Sequence, residues 1–458
     1  MNNTLTRIVT LVLLYVLIPI AFTALYFVGN LPSLEYLLSP FNLSIIAGTL
    51  AYIFFMAQFL IAARIRFLER IFGQDRLLAM HGYLGFASGG LVLSHLVLKY
   101  LLILQFGFLN FQVILGGASF FIFAVLAPVA YFVLQGRKTK LGPIDYEKAK
   151  ITHNLFALAG LLAVLHVFLA TSTWSVMWPL VLRITIVGWG VLTLGSYVWL
   201  KILRPRVDLP MEIAEVEELA PGVHRYRFAP IPGMEDLLTT TRVGKLLSNR
   251  RSGQFAYIRF EGEPPISDEH PFTFSSPAGS PMEMIVRGSG DYSALMPQIP
   301  LGTKVKMDGP YGKFYPIGIA SGTPLLFLAG GIGITPFLSM AMDSKLREQH
   351  PITLVWSIPG PEDEPVVRDL KKLDKTGDIQ LKIIYTRRAP EGVETSRITG
   401  KTLEATLNTI KEKTGQKGSQ TTIACFLCGP GKFVRDMSNE LRNNGIKPSQ
   451  IHSESFTW

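Results

Sequence analysis

Six stretches of about 20 predominantly apolar residues crowd the first 200 positions of this 458-residue chain, and a helix needs roughly that length to cross the hydrocarbon core of a bilayer. They cover residues 8–28, 44–63, 77–98, 112–134, 151–170 and 177–200. The first is too long, and too weakly charged at its start, for a cleaved signal peptide. A six-helix transmembrane bundle over residues 1–204 is the expected fold of this half. The remainder reads as soluble protein.

The charge pattern orients the spans. Arg64, Arg66, Arg70 and Arg76 follow the second span. Arg137, Lys138, Lys140, Lys148 and Lys150 follow the fourth, and Lys201, Arg204 and Arg206 follow the sixth. The other connections, 29–43, 105–111 and 171–176, contain no Lys or Arg. Cytoplasmic loops collect positive charge, so both termini and the soluble half are expected in the cytoplasm, with the chain multi-pass in the cell membrane. Positive charge beside membrane spans also accounts for the net charge of +10 better than a nucleic-acid partner does.

The apolar half holds four histidines inside spans, and an ionisable residue there marks a functional site by default. His81 and His95 stand 14 residues apart on the third span; His153 and His166 stand 13 apart on the fifth. Each pair is separated by about 20 Å along its helix. Both spans run from inside to outside. His81 therefore matches His153 near the inner face, and His95 matches His166 deeper toward the outer face. Two facing imidazole pairs suit two b-type haems, each iron held by two histidines. The spacings do not return to one helix face, so tilt or distortion must supply the difference.

From residue 205 to 318 short β-rich runs separated by Gly and Pro, such as 254–260, 282–286 and 304–307, predict an antiparallel barrel. It carries His270-Pro271-Phe272-Thr273, then Arg287 followed by Tyr292 and Ser293. A flavin needs an aromatic wall, a hydroxyl near its reactive nitrogen and a cation for its pyrophosphate, and these residues are of those types, so FAD is expected here.

From 319 to 458 strands alternate with helices, the pattern of an α/β nucleotide-binding domain. The strand 324–328 runs into Gly330-Gly331-Ile332-Gly333-Ile334-Thr335-Pro336 and a helical segment from Phe337. A glycine-rich turn between strand and helix lets backbone N–H groups approach a pyrophosphate. The strand 379–385 ends in Thr386-Arg387-Arg388, where a guanidinium suits the 2′-phosphate of NADPH. The strand 422–427 ends in Cys428-Gly429-Pro430. The only two cysteines, Cys425 and Cys428, exclude a disulfide-rich scaffold; a redox dithiol or half a metal site remains formally open, with no second pair to complete it. The basic run 242–251 reads as a solvated or lipid-facing insertion in the flavin domain.

Together these motifs resemble the ferric reductase and NADPH oxidase superfamily, in a prokaryotic type with a ferredoxin-reductase-like dehydrogenase half. The resemblance covers nearly the whole chain. It implies that His81, His95, His153 and His166 ligate haem iron, that Thr273 hydrogen-bonds the flavin, and that Arg287 to Ser293 serve its pyrophosphate. It further implies that Cys428 helps position the nicotinamide and that Phe456, with Trp458 as second choice, stacks on the flavin ring. One departure is Lys99, where superoxide-forming members carry a histidine one turn beyond the outer ligand; Arg183 is a second cation near that end. Each suits a haem propionate or the lipid headgroups.

The implied reaction passes electrons from NADPH through FAD and two haems to an acceptor outside. Dioxygen giving superoxide leads, with a ferric chelate second and a quinone or periplasmic protein third. A channel or haem-based sensor is the alternative outside enzymes.

Overall fold

A computed structural model of the protein describes residues 17–27, 34–63, 65–106, 111–133, 152–170, 179–203, 208–262, 268–414 and 422–455. The chain divides into two compact units, Met1–Pro205 and Arg206–Thr457.

The apolar runs become helices α1 (Ile18–Phe27), α2 (Pro40–Ala62), α3 (Arg66–Phe72), α4 (Gln74–Phe106), α5 (Phe111–Val133), α6 (Phe156–Leu169) and α7 (Pro179–Val198). Ser39 starts α2: its Oγ accepts the N–H of Asn42, and Pro40 stands in the first turn, where a missing N–H costs nothing. Four helices among the described residues are long and apolar enough to cross a membrane, α2, α4, α5 and α7, against the six expected. The reasons are local. Only ten residues of α1 lie among the described ones, and α6 keeps 14 because a turn at Asn154–Leu155 cuts off its start. The basic segment 137–150, Arg64, Arg204 and Arg206 lie outside the described residues.

Close approach and interhelical hydrogen bonds join these helices, and in a lipid setting such bonds contribute roughly 0.6 kcal/mol each. Ser88 donates to the Ala51 carbonyl at 3.1 Å, Ser119 to Ala159 at 2.8 Å, and Tyr52 to Ile186 at 3.2 Å. Glycine permits the approach at Gly160, where a Cβ would meet the Phe59 ring at 2.9 Å. Helix α4 packs along α2 and α5 along α6, while α4 and α6 do not pack closely on each other.

The second unit contains two sheets. Strands β1 (Leu209–Ala220), β2 (Val223–Pro230), β3 (Phe255–Phe260), β4 (His270–Thr273), β5 (Met282–Arg287) and β6 (Lys304–Tyr311) form an antiparallel sheet in the order β4-β3-β6-β1-β2-β5. Its edge strands meet through a Phe274–Met284 bridge and the Ser275 N–H to Glu283 carbonyl bond of 2.8 Å, as a barrel requires. Alternate inward residues, among them Tyr226, Phe260, Phe274 and Met307, fill it.

A parallel sheet follows in the order β11-β10-β7-β8-β9, built from β7 (Leu325–Gly330), β8 (Ile352–Ile358), β9 (Gln380–Tyr385), β10 (Ala424–Gly429) and β11 (Ile451–Ser455). Both faces are covered, which is why β7 and β10 are buried throughout. Phe337 of helix α8 (Thr335–Met342) and Leu370 of α9 (Arg368–Thr376) pack on one face. Leu403 and Leu407 of α10 (Gly400–Lys413) and Val434 and Leu441 of α11 (Gly431–Asn443) pack on the other. The chain leaves β7 toward β8 and β9, then returns to place β10 on its other side. The switch point of this doubly wound sheet lies between β7 and β10, and its crevice is where such sheets bind ligands.

The basic run expected as a solvated insertion is instead partly internal. Arg242–Ser248 is helical, capped by the Thr241 hydroxyl, and Arg250 is only 2% exposed. Arg250 donates to Ser276 Oγ and to the carbonyls of Pro277, Ser280 and Pro281 at 2.8–3.2 Å, and lies over the Phe274 ring. Burial lowers its pKa to about 10, partly opposed by Glu283. It anchors the 276–281 turn, whose carbonyls have no strand partner to satisfy them.

Candidate functional site

The four histidines meet as two pairs across the space between α4 and the α6 segment. The His81 and His153 ring centroids are 6.0 Å apart, and those of His95 and His166 are 6.4 Å apart. An iron bonded to both rings at about 2 Å, with each centroid about 1 Å further on, sets that separation near 6 Å.

The angular problem has a visible solution. At about 100° per residue the step from His81 to His95 returns to within about 40° of one face, whereas that from His153 to His166 falls about 140° short. At the start of this segment the N–H groups of Leu155, Ala157 and Leu158 bond carbonyls three residues back, at 3.0 Å each. Tighter winding at three residues per turn recovers about 100° between His153 and Leu158, leaving about 40°, as in the other pair. The turn that shortens α6 is therefore what brings His153 to the same side as His166.

Tautomers follow from partners. His95 Nδ1 lies 2.6 Å from the Ser44 carbonyl and His166 Nδ1 2.7 Å from that of Gln112. A carbonyl only accepts, so both Nδ1 atoms carry the proton and each Nε2 keeps a lone pair for a metal. His81 and His153 have buried Nδ1 atoms without hydrogen-bond partners among the described residues. The residues present fit haem iron: facing imidazoles, a separation matching two metal bonds, and a fixed acceptor nitrogen in one pair.

On β4, register places Thr273 opposite Phe255 and Phe272 opposite Ala256. Tyr292, on the short helix Asp291–Leu295, stacks on His270 at 3.7 Å between centroids and lies 6.2 Å from Phe272. Thr273 is buried, and the nearby Ser275 Oγ is buried with no partner among the described residues, leaving a donor for a bound group. Ser293 is occupied: its Oγ receives the N–H groups of Ser289 and Gly290 at 3.1 and 3.0 Å and shapes that turn. Arg287 pairs with the buried carboxylate of Asp363 at 2.7 Å. The rings and the Ser275 hydroxyl suit a flavin nucleotide, whereas Ser293 and Arg287 are already engaged within the protein.

The nucleotide motifs converge at the switch point. Gly330 ends β7, Gly331 has φ 55°, and Gly333 precedes Thr335 and Pro336 at the start of α8. Gly429, with φ 154°, ends β10 beside Gly330: a Cβ on it would lie 3.1 Å from the Gly330 backbone, and one on Gly333 would lie 2.4 Å from the Cys428 carbonyl. Glycine is required here because two strand ends approach backbone to backbone. Pro430 caps α11.

At the end of β9, Thr386 donates its N–H and its hydroxyl to the Ile358 carbonyl, at 2.8 and 3.1 Å. Arg388 pairs with Glu362 at 2.6 Å, while the Arg387 side chain is exposed. Sequence reasoning missed the carboxylates. Burial tends to raise the pKa of Glu364, but Lys371 and the Tyr385 hydroxyl, 2.5 Å away, bring it below its ordinary value. Burial and that carboxylate push Tyr385 up to about 12. Phe456 and Trp458 lie outside the described residues.

The two cysteines form no dithiol. An odd step along a strand reverses the face, and Cys425 packs among Leu403 and Leu427 while Cys428 packs on the opposite side with Phe327 and Phe426. Burial pushes the Cys425 thiol up to about 12. A folded pKa above the unfolded one gives stability that is complete below about pH 9 and is lost as pH rises through 12. Unfolding free energy measured against pH in this window should fall by up to about 1.4 kcal/mol per unit, and Cys425→Ala should flatten that slope.

Comparison with known proteins matches residues 322–419 to the family model described as the ferric reductase NAD binding domain. A flavohemoprotein from Rhizobium meliloti (strain 1021) is 31% identical over 168 residues, 36% of this chain and 40% of that protein. The toluate 1,2-dioxygenase electron transfer component from Pseudomonas putida is 29% identical over 160 residues, 34% of this chain and 43% of that one. Among solved structures, a ferredoxin NADP+ reductase from Neisseria gonorrhoeae with bound FAD and NADP aligns with 55% of this chain and 99% of its own, at 19% identity and a TM-score of 0.43. The chain spans 40%, 51% and 36% of the first three curated relatives, so each extends well beyond the shared part. The match to the ferric reductase NAD-binding model and the two curated relatives agree with the resemblance to the ferric reductase and NADPH oxidase superfamily over the second unit. The matched segment contains the β7–α8 glycine turn and the β9 arginines, the region singled out for the nucleotide.

Proposed function

We propose that this protein is a membrane-embedded flavohaem oxidoreductase that moves electrons from NADPH, through FAD and two b-type haems, to an acceptor across a cell membrane. The observation that carries this reading is the pair of facing imidazole sets on apolar helical segments, 6.0 and 6.4 Å between centroids. In this reading the apolar unit is a six-helix bundle with both termini cytoplasmic, as its loop charges favour.

When bound, FAD turns hydride chemistry into one-electron chemistry and haem iron relays single electrons. The residues supply position. His81 and His153 would hold the inner iron, and His95 and His166 the outer one. The Ser44 and Gln112 carbonyls keep the Nδ1 protons in place, so the Nε2 atoms of His95 and His166 would be unprotonated and able to bind a metal. Thr273 offers its hydroxyl to the flavin, with His270, Pro271, Phe272, Tyr292 and Ser293 as its surroundings and Arg287 toward its pyrophosphate. Gly330 to Pro336 and Cys428 to Pro430 would seat the dinucleotide, and Phe456 would be the residue to cover the flavin ring. Export of negative charge from a negative-inside cell is favoured by about 2.3 kcal/mol per 100 mV.

Dioxygen is the leading acceptor. A ferric chelate is the second reading, favoured by two cations one turn beyond the outer pair: Lys99, over the Phe41 ring, and Arg183, which donates to the Ala170 carbonyl. NADPH oxidation by purified protein, followed as cytochrome c reduction with and without superoxide dismutase beside a ferrozine assay, separates the two. NADPH consumption with no reduced-haem bands under anaerobiosis would remove the haem relay from the reading.

Arg387 is exposed at the end of β9, and the neighbouring exposed Arg388 is held by Glu362. Charge-assisted bonds contribute about 1.5–3 kcal/mol, so Arg387→Ala should raise KM for NADPH at least about 10-fold while leaving that for NADH within about two-fold. Equal losses for both cofactors would show that Arg387 does not read the 2′-phosphate.

A further inference from the structure

The apolar unit contains the same device twice. His95 donates to the carbonyl of Ser44 on α2, and four residues on stands Gly48. His166 donates to the carbonyl of Gln112 on α5, and four residues on stands Gly116. In an α-helix the carbonyl of residue i points toward residue i+4, whose side chain flanks that oxygen. A ring reaching the carbonyl from the side must occupy the space of that side chain. The distances agree. A Cβ on Gly48 would lie 2.6 Å from His95 Nδ1 and 2.8 Å from Cε1, and one on Gly116 would lie 2.8 and 2.9 Å from the same atoms of His166. Real Cβ contacts do not come this close.

Each glycine sits on the helix packed along the one carrying its histidine: α2 along α4, α5 along α6. Other glycines nearby have no such role, since a Cβ on Gly82 or Gly117 would meet nothing within 4 Å. The His81–His153 pair has no equivalent, its Nδ1 atoms being without partners among the described residues.

We infer that Gly48 and Gly116 are positioning residues for the His95–His166 iron: by lacking a side chain they uncover the Ser44 and Gln112 carbonyls, which fix both imidazoles in the metal-binding tautomer. This rests on the reading of these histidines as haem ligands. A methyl at either glycine displaces the ring and breaks its hydrogen bond, and loss of such a supporting bond weakens metal binding roughly 10–100-fold.

The test uses the full-length protein in detergent, with haem per chain and the low-spin ferric resonance signals as readouts. Gly48→Ala and Gly116→Ala should each fall from two haems per chain to one, with the remaining signal unchanged. Gly82→Ala and Gly117→Ala should keep both. Two haems with unaltered resonance in either Gly48→Ala or Gly116→Ala overturns the inference. So does the loss of both haems, or an equal loss in Gly117→Ala, because the positions would then be general packing sites. Should Gly48→Ala fail to accumulate, the Gly48→Ala/His95→Ala double variant should accumulate as well as His95→Ala alone, since the ring that the methyl strikes is gone; a further loss in the double variant overturns the inference. Wild-type protein without haem overturns the ligand reading itself, a result distinct from the failure of the glycines alone.

Discussion

His95→Ala and His166→Ala proteins are each expected to lose the haem of their shared pair, falling from two per chain to one or none, and to lose NADPH-driven electron delivery across the membrane. In the proposed function each ring would supply one of two bonds to the same iron, and its partner, 6.4 Å away, would already be committed to the other. The matching His81→Ala and His153→Ala variants should stop the relay one step earlier. Haem quantitation and a dithionite-reduced spectrum of purified protein measure the first effect, and anaerobic reduction by NADPH measures the second. Two intact haems in His95→Ala would mean that iron is held elsewhere, and the proposed function would go with it.

Arg250→Ala should destabilise the Arg206–Thr457 unit by about 3 kcal/mol or more, because a buried side chain is removed from over the Phe274 ring together with its charge-assisted bonds to Ser276 and the turn carbonyls. For a unit of this size that is a fall in Tm of roughly 6–12 °C, read by circular dichroism. Arg250→Lys should recover only part, since an ammonium can replace Nη2 among its four acceptors but loses the Nη1 bond to the Leu247 carbonyl and the planar group over the Phe274 ring. A melting curve superimposable on wild type in Arg250→Ala would show that the turn satisfies its carbonyls without help.

The contrast between these two predictions shows what was legible. The histidines could be found in advance because an ionisable side chain in a long apolar run stands out, and because helical rise relates spacing to depth. Arg250 could not. In the sequence it belongs to a cluster with Arg242, Lys245 and Arg251, and nothing local distinguishes the buried cation from the exposed ones. The C-x-x-C was legible only as a spacing; strand alternation then placed its sulfurs on opposite faces.

Sequence alone determined the division into an apolar and a soluble half, the strand and helix order of the latter, the four imidazoles and the glycine turns of the nucleotide region. These are local patterns, set by side-chain periodicity and backbone freedom. Only tertiary structure decided that the winding before α6 swings His153 into line with His166, that Ser44 and Gln112 orient rings 51 and 54 residues further along, and that Asp363 and Glu362 meet Arg287 and Arg388. Such pairings depend on which helix or strand lies beside which. That is settled by packing between distant segments, and no short window of residues records it.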